Sequence, residues 1–379
     1  MRALPEITSA MLVVTHECNL RCRYCFVRKE PESMTLETAK AAARFLIENA
    51  RRAGTVPEIN FFGGEPLLKF DGIMRPLTEW VHDELGERMR FSVTTNGTLL
   101  TPERIGFMKK HGFSLLLSMD GSARAQDFNR PDAAGRGTFE RLRGVVPMIL
   151  AAWPGTVFRM TAIPASCRFT FEGIMWAAAQ GFRSFFVTPN VFEPWDDESW
   201  AALAGEMRKY ADYAAESRER GVKYIRFSAF EQARSDLRAI ERARERGEWR
   251  ALPRCRAAGK CGLGASRFAS VHPDGRLFAC QELTSNEGGI FEIGSVFTGA
   301  DENKRRALMA AFDAAPARGE NCEGCEYDRV CDGGCAANNY LLTGAVNRVP
   351  ETYCRWKRLL LDEARRIEER EGERCPLQA

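Results

Sequence analysis

Three cysteines near the start of the chain have the type and spacing of iron–sulfur ligands. Cys18, Cys22 and Cys25 follow one another closely, and an aromatic residue, Tyr24, precedes the last of them. A 4Fe-4S cube that only transfers electrons is held by four cysteine thiolates. Because three thiolates leave one iron open, this spacing predicts a cluster that binds a small molecule.

Eight further cysteines are concentrated in the C-terminal third of the chain. They are Cys255, Cys261, Cys280, Cys322, Cys325, Cys331, Cys335 and Cys354. Eight thiolates fill two four-iron cubes. Zinc is the alternative metal, because Cys322-x2-Cys325 alone is typical of half a zinc site. Zinc would explain four of these cysteines but not eight beside an iron–sulfur loop.

Composition limits the class of protein. The 379 residues with 45% hydrophobic content are enough for two domains. The 54 Lys and Arg residues nearly balance the 51 Asp and Glu residues, which gives no basis for a nucleic-acid partner. The sequence shows neither a signal peptide nor a long uncharged apolar run, so we expect a cytoplasmic protein with no membrane partner. Disulfide frameworks belong to short secreted domains, which favours metal ligation for the cysteines.

Apolar segments alternate with amphipathic segments through the first 230 residues. Strands are predicted at residues 10–15, 58–62, 91–95, 113–118, 157–163 and 184–188. Helices are predicted at residues 35–50, 102–111 and 138–152. Such alternation predicts an α/β fold with a parallel sheet, whose functional residues follow the carboxyl ends of the strands. About six units, fewer than the eight of a closed barrel, predict a partial (β/α)6 TIM-like barrel.

The segment Gly63-Gly64-Glu65-Pro66 follows the second predicted strand. Glycines let the backbone approach a neighbour closely, and Glu65 can pair with a cationic amine. Combined with the cysteine loop, this segment resembles the radical SAM enzymes, whose open iron chelates S-adenosylmethionine (SAM). Phe62 departs from the Gln that sulfatase-maturing relatives carry at that position.

The resemblance implies a set of cofactor contacts. Cys18, Cys22 and Cys25 would hold the SAM-binding cluster. In Ser118-Met119-Asp120-Gly121, Ser118 offers a hydroxyl for the ribose, and Arg130 offers a guanidinium for the carboxylate of SAM. The full predicted cofactor-binding set is Tyr24, Gly63, Gly64, Glu65, Asn96, Ser118, Arg130 and Phe192.

The C-terminal cysteines resemble the SPASM extension of radical SAM enzymes, which implies two auxiliary clusters and therefore three 4Fe-4S clusters in all. Asp274-Gly275 is typical of the tight hairpin turn in that region. By this resemblance one auxiliary cluster is held by Cys255, Cys261, Cys280 and Cys335. The other is held by Cys322, Cys325, Cys331 and Cys354.

The same resemblance gives the predicted domains. They are a radical SAM partial barrel at residues 1–230, a helical linker at 231–254, a SPASM domain at 255–360, and a C-terminal helix and tail at 361–379. The density of Arg and Glu at residues 231–250 predicts a helix that is solvated and bridges the two domains.

Radical SAM enzymes with two auxiliary clusters mostly modify peptides or proteins. In sulfatase maturases an Asp base follows the third auxiliary cysteine, whereas Gln281 follows Cys280 here. An amide does not accept a proton near neutral pH. The sequence therefore favours an oxidoreductase that abstracts a hydrogen atom from a ribosomally made peptide through a 5′-deoxyadenosyl radical and installs a thioether. Gln281 and Glu282, a carboxylate that can replace the missing base, are the predicted catalytic residues.

Two other reactions stay open: oxidation of Cys or Ser to formylglycine, and formation of a carbon–carbon crosslink. The expected partners are a precursor peptide and an electron donor such as flavodoxin or ferredoxin. Because the chain starts directly at the first barrel strand, leader binding is expected to need a separate protein or another surface.

Overall fold

The computed structural model describes residues 4–248, 267–284, 289–313, 318–320 and 322–373. The chain divides into two compact units. The first takes in the chain up to Ser118, Arg130–Pro154 and the described part of Ala258–Ala315. The second takes in Met119–Asn129 and the described parts of Gly155–Ala257 and Pro316–Ala379. The domain boundaries expected from the sequence stay a prediction.

The strands, in chain order, are β1 (Ser9–Thr15), β2 (Glu58–Gly63), β3 (Arg90–Thr95), β4 (Ser114–Ser118), β5 (Val157–Ala162), β6 (Ser184–Pro189), β7 (Arg226–Phe227), β8 (Phe268–Val271), β9 (Arg276–Phe278), β10 (Glu292–Ser295) and β11 (Gly299–Ala300). The helices are α1 (Leu36–Ala53), α2 (Arg75–Glu79), α3 (Pro102–Lys110), α4 (Ala123–Asn129), α5 (Phe139–Ala152), α6 (Thr170–Gln180), α7 (Asp197–Glu219), α8 (Ser228–Glu245), α9 (Glu302–Asp313), α10 (Ala336–Thr343) and α11 (Glu351–Glu373).

In the first unit β1, β2, β3 and β4 pair in parallel in that order. Successive side chains of a strand point to opposite faces of the sheet. Ile59 and Phe61 of β2 are fully buried, whereas Asn60 and Phe62 on the other face are partly exposed. One face of the sheet is therefore core, and the other remains accessible at the carboxyl ends of the strands.

Helix α1 shows how local sequence signals set the element ends. The Thr35 hydroxyl accepts a hydrogen bond from the Thr38 amide at 3.1 Å, which caps the N-terminus. Gly54 ends the helix in the left-handed conformation with a φ of 62°. Leu46 and Ile47 lie on its buried face.

A C-terminal hairpin extends the sheet of the first unit beyond β1. Strand β8 pairs in parallel with β1, with Ser9 opposite Phe268. Strands β8 and β9 then pair antiparallel, and Gly275 has a φ of 90° in the turn between them. The tight turn predicted at Asp274-Gly275 is confirmed.

In the second unit β5, β6 and β7 form a parallel sheet. Helix α8 packs against α11, and its buried apolar stripe includes Phe230, Leu237 and Ile240. Arg234 is only 2% exposed and pairs with two glutamates of α11. The prediction of a solvated helix was therefore wrong for this face, because the many arginines and glutamates concealed an apolar stripe of helical period.

Parallel strands alternate with helices in both units, which confirms the predicted α/β class. Within the described ranges, every helix is too short or too polar to cross a bilayer.

Candidate active site at the cysteine loop

The cysteine loop, residues 16–33, leaves the carboxyl end of β1 and carries the first three cysteines. The Cys18 sulfur is half-buried and accepts a 3.4 Å hydrogen bond from the Leu20 amide. Cys25 is exposed, and the Lys29 ammonium lies 2.7 Å from its sulfur. Burial raises the pKa of the Cys18 thiol to about 11. A bound cation is what would hold this sulfur as a thiolate at neutral pH.

Gly63 and Gly64 let the end of β2 touch the backbone of the cysteine loop. The Gly64 amide donates to the Thr15 carbonyl at 2.8 Å. A Cβ on Gly63 would lie 2.2 Å from the Thr15 oxygen, and a Cβ on Gly64 would lie 2.2 Å from the Glu17 oxygen. Any larger residue at either position must displace the loop, so the two glycines set its position.

Glu65 is 1% exposed. One carboxylate oxygen accepts bonds from the Thr95 hydroxyl at 2.7 Å and the Leu67 amide at 3.1 Å. The other accepts from the Asn96 amide at 2.9 Å. Burial raises the pKa of this carboxyl to about 7. A carboxylate oxygen can accept two hydrogen bonds, so the second oxygen retains capacity for a cationic donor, whose charge would stabilise the ionised form.

Asn96 fastens the cysteine loop to the end of β3. Its side-chain amide donates to the Asn19 side chain at 3.0 Å, and its oxygen accepts from the Thr98 amide at 2.9 Å. The Asn19 amide in turn donates to the Thr98 hydroxyl at 2.8 Å. Asn96 thus ties the loop to the end of β3, and its predicted contact with the cofactor stays a prediction. Asn19 and Thr98 were missed, although an amide residue placed directly after Cys18 was a signal for this ring of bonds.

Arg130 lies beside the cysteine loop. It is 6% exposed, and its guanidinium carbon lies 5.2 Å from the centre of the Tyr24 ring, in cation–π contact. The segment that follows Arg130 pairs with the loop, since the Arg21 amide donates to the Pro131 carbonyl at 2.7 Å. The structure therefore brings together Tyr24 and Arg130, two of the predicted SAM contacts. Phe62 faces the same loop, stacked on Phe26 with ring centres 6.5 Å apart.

The binding of the cofactor by two further predicted positions, Ser118 and Phe192, stays a prediction. Ser118 ends β4 and is half-buried. Phe192 belongs to the second unit, in the segment after β6, and is 44% exposed.

The motif around Ser118 also has a structural part. The Asp120 carboxylate accepts from the Thr161 amide at 3.1 Å and from the Asn129 side chain at 3.0 Å. A Cβ on Gly121 would lie 2.4 Å from Gly173 of α6. Asp120 and Gly121 therefore stabilise the second unit.

The two predicted catalytic residues follow β9. Gln281 and Glu282 begin the 3-10 turn Gln281–Leu283, and both are half-buried. The Cys280 sulfur lies 3.5 Å from the amide oxygen of Gln281. Cys255 and Cys261 lie outside the described residues. The grouping of these two with Cys280 and Cys335 stays a prediction.

The second unit gathers the cysteines predicted for the outer cluster. Burial, together with the nearby charges of Cys322, Cys331 and Cys325, raises the pKa of the Cys354 thiol to about 11. The Cys322 sulfur accepts from the Gly319 amide at 3.0 Å. Cys335 precedes α10 as its N-cap residue.

The donor atoms at the cysteine loop fit an iron–sulfur cluster with SAM. Thiolates are the ligands of such clusters. The buried Glu65 carboxylate and the Arg130 guanidinium are opposite in charge to the ammonium and the carboxylate of an amino acid. The family model of the Radical SAM superfamily matches residues 12–200. The protein is therefore a radical SAM enzyme, with a 4Fe-4S cluster and SAM as cofactors.

The chain is similar to maturases in this superfamily. It is 25% identical over 348 residues to a serine-type anaerobic sulfatase-maturating enzyme from Klebsiella aerogenes, covering 87% of this chain and 81% of that protein. The structure of anSMEcpe with bound AdoMet and Cp18Cys peptide matches with a TM-score of 0.73 at 18% identity, covering 97% and 99% of the two chains. Streptococcus suis SuiB bound to precursor peptide SuiA matches with a TM-score of 0.58 at 14% identity, covering 92% and 76%. These likenesses confirm the predicted partial barrel with a cysteine-rich C-terminal region.

Proposed function

We propose that the protein is a peptide maturase that joins a cysteine sulfur to a carbon atom of a ribosomally made peptide. The observation that carries this proposal is the residue that follows Cys280. Gln281 stands there with its amide oxygen 3.5 Å from the Cys280 sulfur. Formation of an aldehyde from Cys or Ser requires a base, and an amide does not provide one. In thioether formation the 5′-deoxyadenosyl radical takes a hydrogen atom from the carbon, a thiol with a pKa of about 8.5 loses its proton, and an auxiliary cluster accepts the remaining electron as the sulfur–carbon bond forms.

Glu282 is the proposed acceptor of that thiol proton. It is the carboxylate of the turn Gln281–Leu283 and is half-buried. A general base contributes about 10² to 10⁴ in rate. Glu282 therefore replaces the base that the neighbouring amide does not supply.

The chain holds SAM at the carboxyl ends of the first-unit strands. When bound, SAM and its cluster supply a 5′-deoxyadenosyl radical that takes a hydrogen atom from the substrate. Glu65 binds the ammonium of SAM, and Arg130 binds its carboxylate. Tyr24 lies against Arg130 and adjoins the adenine, while Gly63 and Gly64 fix the loop that carries Cys18, Cys22 and Cys25.

The remaining parts of the proposal concern clusters and partners. The eight C-terminal cysteines hold two auxiliary clusters, which brings the total to three. If both have four protein thiolates, they serve in electron transfer. A precursor peptide is the substrate, by analogy with the peptide-bound structures of anSMEcpe and SuiB. A flavodoxin or ferredoxin supplies electrons.

A second candidate function is sulfatase maturation. The similarity to a sulfatase-maturating enzyme over most of the chain favours it. In that case Glu282 is the base for aldehyde formation. The two candidates therefore differ in the product and not in the cofactors.

The product distinguishes the candidates. The enzyme, reconstituted without oxygen, is incubated with SAM, reductant and either a sulfatase-type Cys peptide or a Cys-rich peptide encoded beside its gene. We expect the Cys-rich peptide to lose two hydrogen atoms and its iodoacetamide-reactive thiol, by mass spectrometry. An aldehyde in the sulfatase-type peptide, with the Cys-rich peptide unchanged, would overturn the proposal.

Two variants at adjacent positions test the roles of the turn. Gln281→Asp should leave the rate of thioether formation within about threefold of wild type, because Gln281 takes no proton. Glu282→Gln should lower it about 100-fold. The reverse order of effects would assign the base to position 281 and contradict the proposed role of Glu282.

A further inference from the structure

The chain has four histidines, and the structure arranges them as two pairs. His16 begins the cysteine loop directly after β1, and His272 directly follows β8. These strands are parallel neighbours, with Leu12 opposite Val271. The two imidazoles consequently meet at the same edge of the first-unit sheet, with ring centres 5.2 Å apart and the planes at 68°.

Glu32, near the end of the cysteine loop, reaches both imidazoles. The His16 amide donates to the Glu32 carbonyl at 2.9 Å, which holds the two ends of the loop side by side. The same carboxylate oxygen of Glu32 lies 3.0 Å from Nδ1 of His16 and 3.6 Å from Nε2 of His272. One ligand atom from each of the three side chains lies within 4.8 Å of the others.

These separations suit coordination of one ion. Zinc bonds to histidine nitrogen and carboxylate oxygen are about 2.0 to 2.2 Å long. Two ligand atoms on a tetrahedral ion are therefore about 3.4 Å apart, from the same bond length. The Glu32 oxygen lies 3.0 Å from the His16 nitrogen and 3.6 Å from the His272 nitrogen, on either side of that value. Glu32 retains 39% exposure of its side chain, so it can shift toward the two imidazoles, whose ligand atoms lie within 4.8 Å of one another.

A buried nitrogen of His16 supports a ligand role. Nδ1 of His16 makes no hydrogen bond, although a Glu32 carboxylate oxygen lies 3.0 Å from it. The His272 side chain is 5% exposed, and an Asp274 carboxylate oxygen lies 3.1 Å from its Nδ1. Histidine ligands commonly present one nitrogen to the metal and the other to a carboxylate. His272 has this arrangement, with Glu32 on one side and Asp274 on the other.

The other pair serves as a contrast. His82 and His111 stack with ring centres 5.6 Å apart, and their Nδ1 atoms lie 3.3 Å from one another. Aromatic rings surround them, with Phe91 5.2 Å from His82 and Phe107 4.4 Å from His111. Among the residues that the structure describes, His16, Glu32 and His272 form the group of three whose ligand atoms all lie within 4.8 Å of one another.

We propose that His16, Glu32 and His272 form a binding site for a divalent first-row transition metal ion, with zinc as the expected occupant. Two histidines and one carboxylate leave a fourth position for water or another ligand. The ion would tie both ends of the cysteine loop to β8. This site is separate from the thiolate clusters and does not depend on the reaction that the enzyme catalyses.

Zinc binding can be tested on the protein with its iron–sulfur clusters in place. The holoenzyme is equilibrated with Zn²⁺, desalted and examined for zinc per chain and for X-ray absorption at the zinc edge. We expect about one zinc with nitrogen and oxygen neighbours at about 2.0 to 2.2 Å. His272→Gln should lose it, and the matched variant His111→Gln should retain it, both with wild-type iron content.

Glu32→Gln changes a half-exposed side chain, so it should fold even if the substitution of the buried His272 prevents folding. It therefore provides a second test of zinc binding. It should lower the zinc affinity at least tenfold. Zinc neighbours that are all sulfur, at about 2.3 Å, would show that only cysteines bind the ion and would overturn the proposal. Equal zinc content in wild type, His272→Gln and Glu32→Gln would overturn it as well.

Discussion

The cysteine loop of the first unit and the cysteine group of the second unit present the same thiol chemistry in different settings. The loop offers three thiols beside the buried carboxylate of Glu65, and Cys25 is exposed. In the second unit Cys354 is electrostatically coupled to three further thiols, and the nearby Tyr353 is buried enough that its pKa is raised well above the usual value. Three thiols with free space suit the binding of a small molecule, whereas four thiols suit electron transfer.

The two regions also differ in how they are held. The loop is fixed by backbone contacts to Gly63 and Gly64 and by the side chain of Asn96. The second group relies on local turns, such as the one in which the Gly319 amide donates to the Cys322 sulfur. Substitutions at residues that do not bind metal should therefore disturb the position of the cysteine loop more than that of the second-unit cysteines.

The largest expected effect is on SAM cleavage, and it distinguishes the cysteines of the loop from those of the second unit. Cys22→Ala should abolish SAM cleavage and remove about four of about twelve iron atoms. Cys325→Ala should remove a similar amount of iron but retain SAM cleavage, because the outer cluster does not bind SAM. Iron analysis and detection of 5′-deoxyadenosine check both. Loss of SAM cleavage in Cys325→Ala, with the first cluster intact by spectroscopy, would break the comparison.

A glycine substitution should have the next largest effect. Gly64→Ala places a Cβ 2.2 Å from the Glu17 oxygen, so we expect SAM cleavage to fall about 100-fold, as for an active-site displacement of about 1 Å. Gly106 in α3 has no atom within 4 Å of such a Cβ, and Gly106→Ala is the control. It should leave activity unchanged and stabilise the protein by up to about 1 kcal/mol.

The Asn96 side chain should matter for SAM affinity and not only for stability. Asn96→Ala and the control Asn49→Ala each remove a buried amide, since Asn49 donates to the Ile7 carbonyl at 2.8 Å. Each should cost about 1 to 3 kcal/mol of unfolding free energy. Calorimetry with SAM should show about tenfold weaker binding for Asn96→Ala alone. Equal weakening in both variants would mean that Asn96 acts through general stability.

The smallest expected effect is a pH dependence. Burial raises the pKa of Glu65 to about 7, so the carboxylate that would bind the SAM ammonium is ionised above that pH and protonated below it. SAM affinity should fall about fourfold between pH 8 and pH 6.5, from the fraction ionised. In Glu65→Gln the affinity should be lower and independent of pH over this interval. A wild-type affinity that is flat across the interval would remove Glu65 from the ammonium site.

Local patterns predicted the strands well, because apolar and β-branched runs bounded by turn residues carry their own signal. Each of the six predicted strands is present with a one-residue shift at one end. The Gly63-Gly64 pair was recognised as a point of close approach, but its neighbour, the backbone of the cysteine loop, was not foreseen.

Long-range contacts were not predictable. Met11 and Ser270 are 259 positions apart in sequence, yet they lie on paired strands, and no local pattern encodes such a pairing. The joining of His16 to His272 follows from it and was missed for the same reason. The apolar stripe of α8 was missed for a different reason, since it was present at helical spacing but outnumbered by charged residues.

The central claim is that this radical SAM enzyme abstracts a hydrogen atom from a peptide. The most direct measurement uses a Cys-rich substrate peptide deuterated on the carbon that becomes bonded to sulfur, with mass spectrometry of the 5′-deoxyadenosine released. The account predicts that deuterium enters 5′-deoxyadenosine in step with loss of the peptide thiol. Unlabelled 5′-deoxyadenosine, formed while the peptide is converted to product, would contradict abstraction from that carbon.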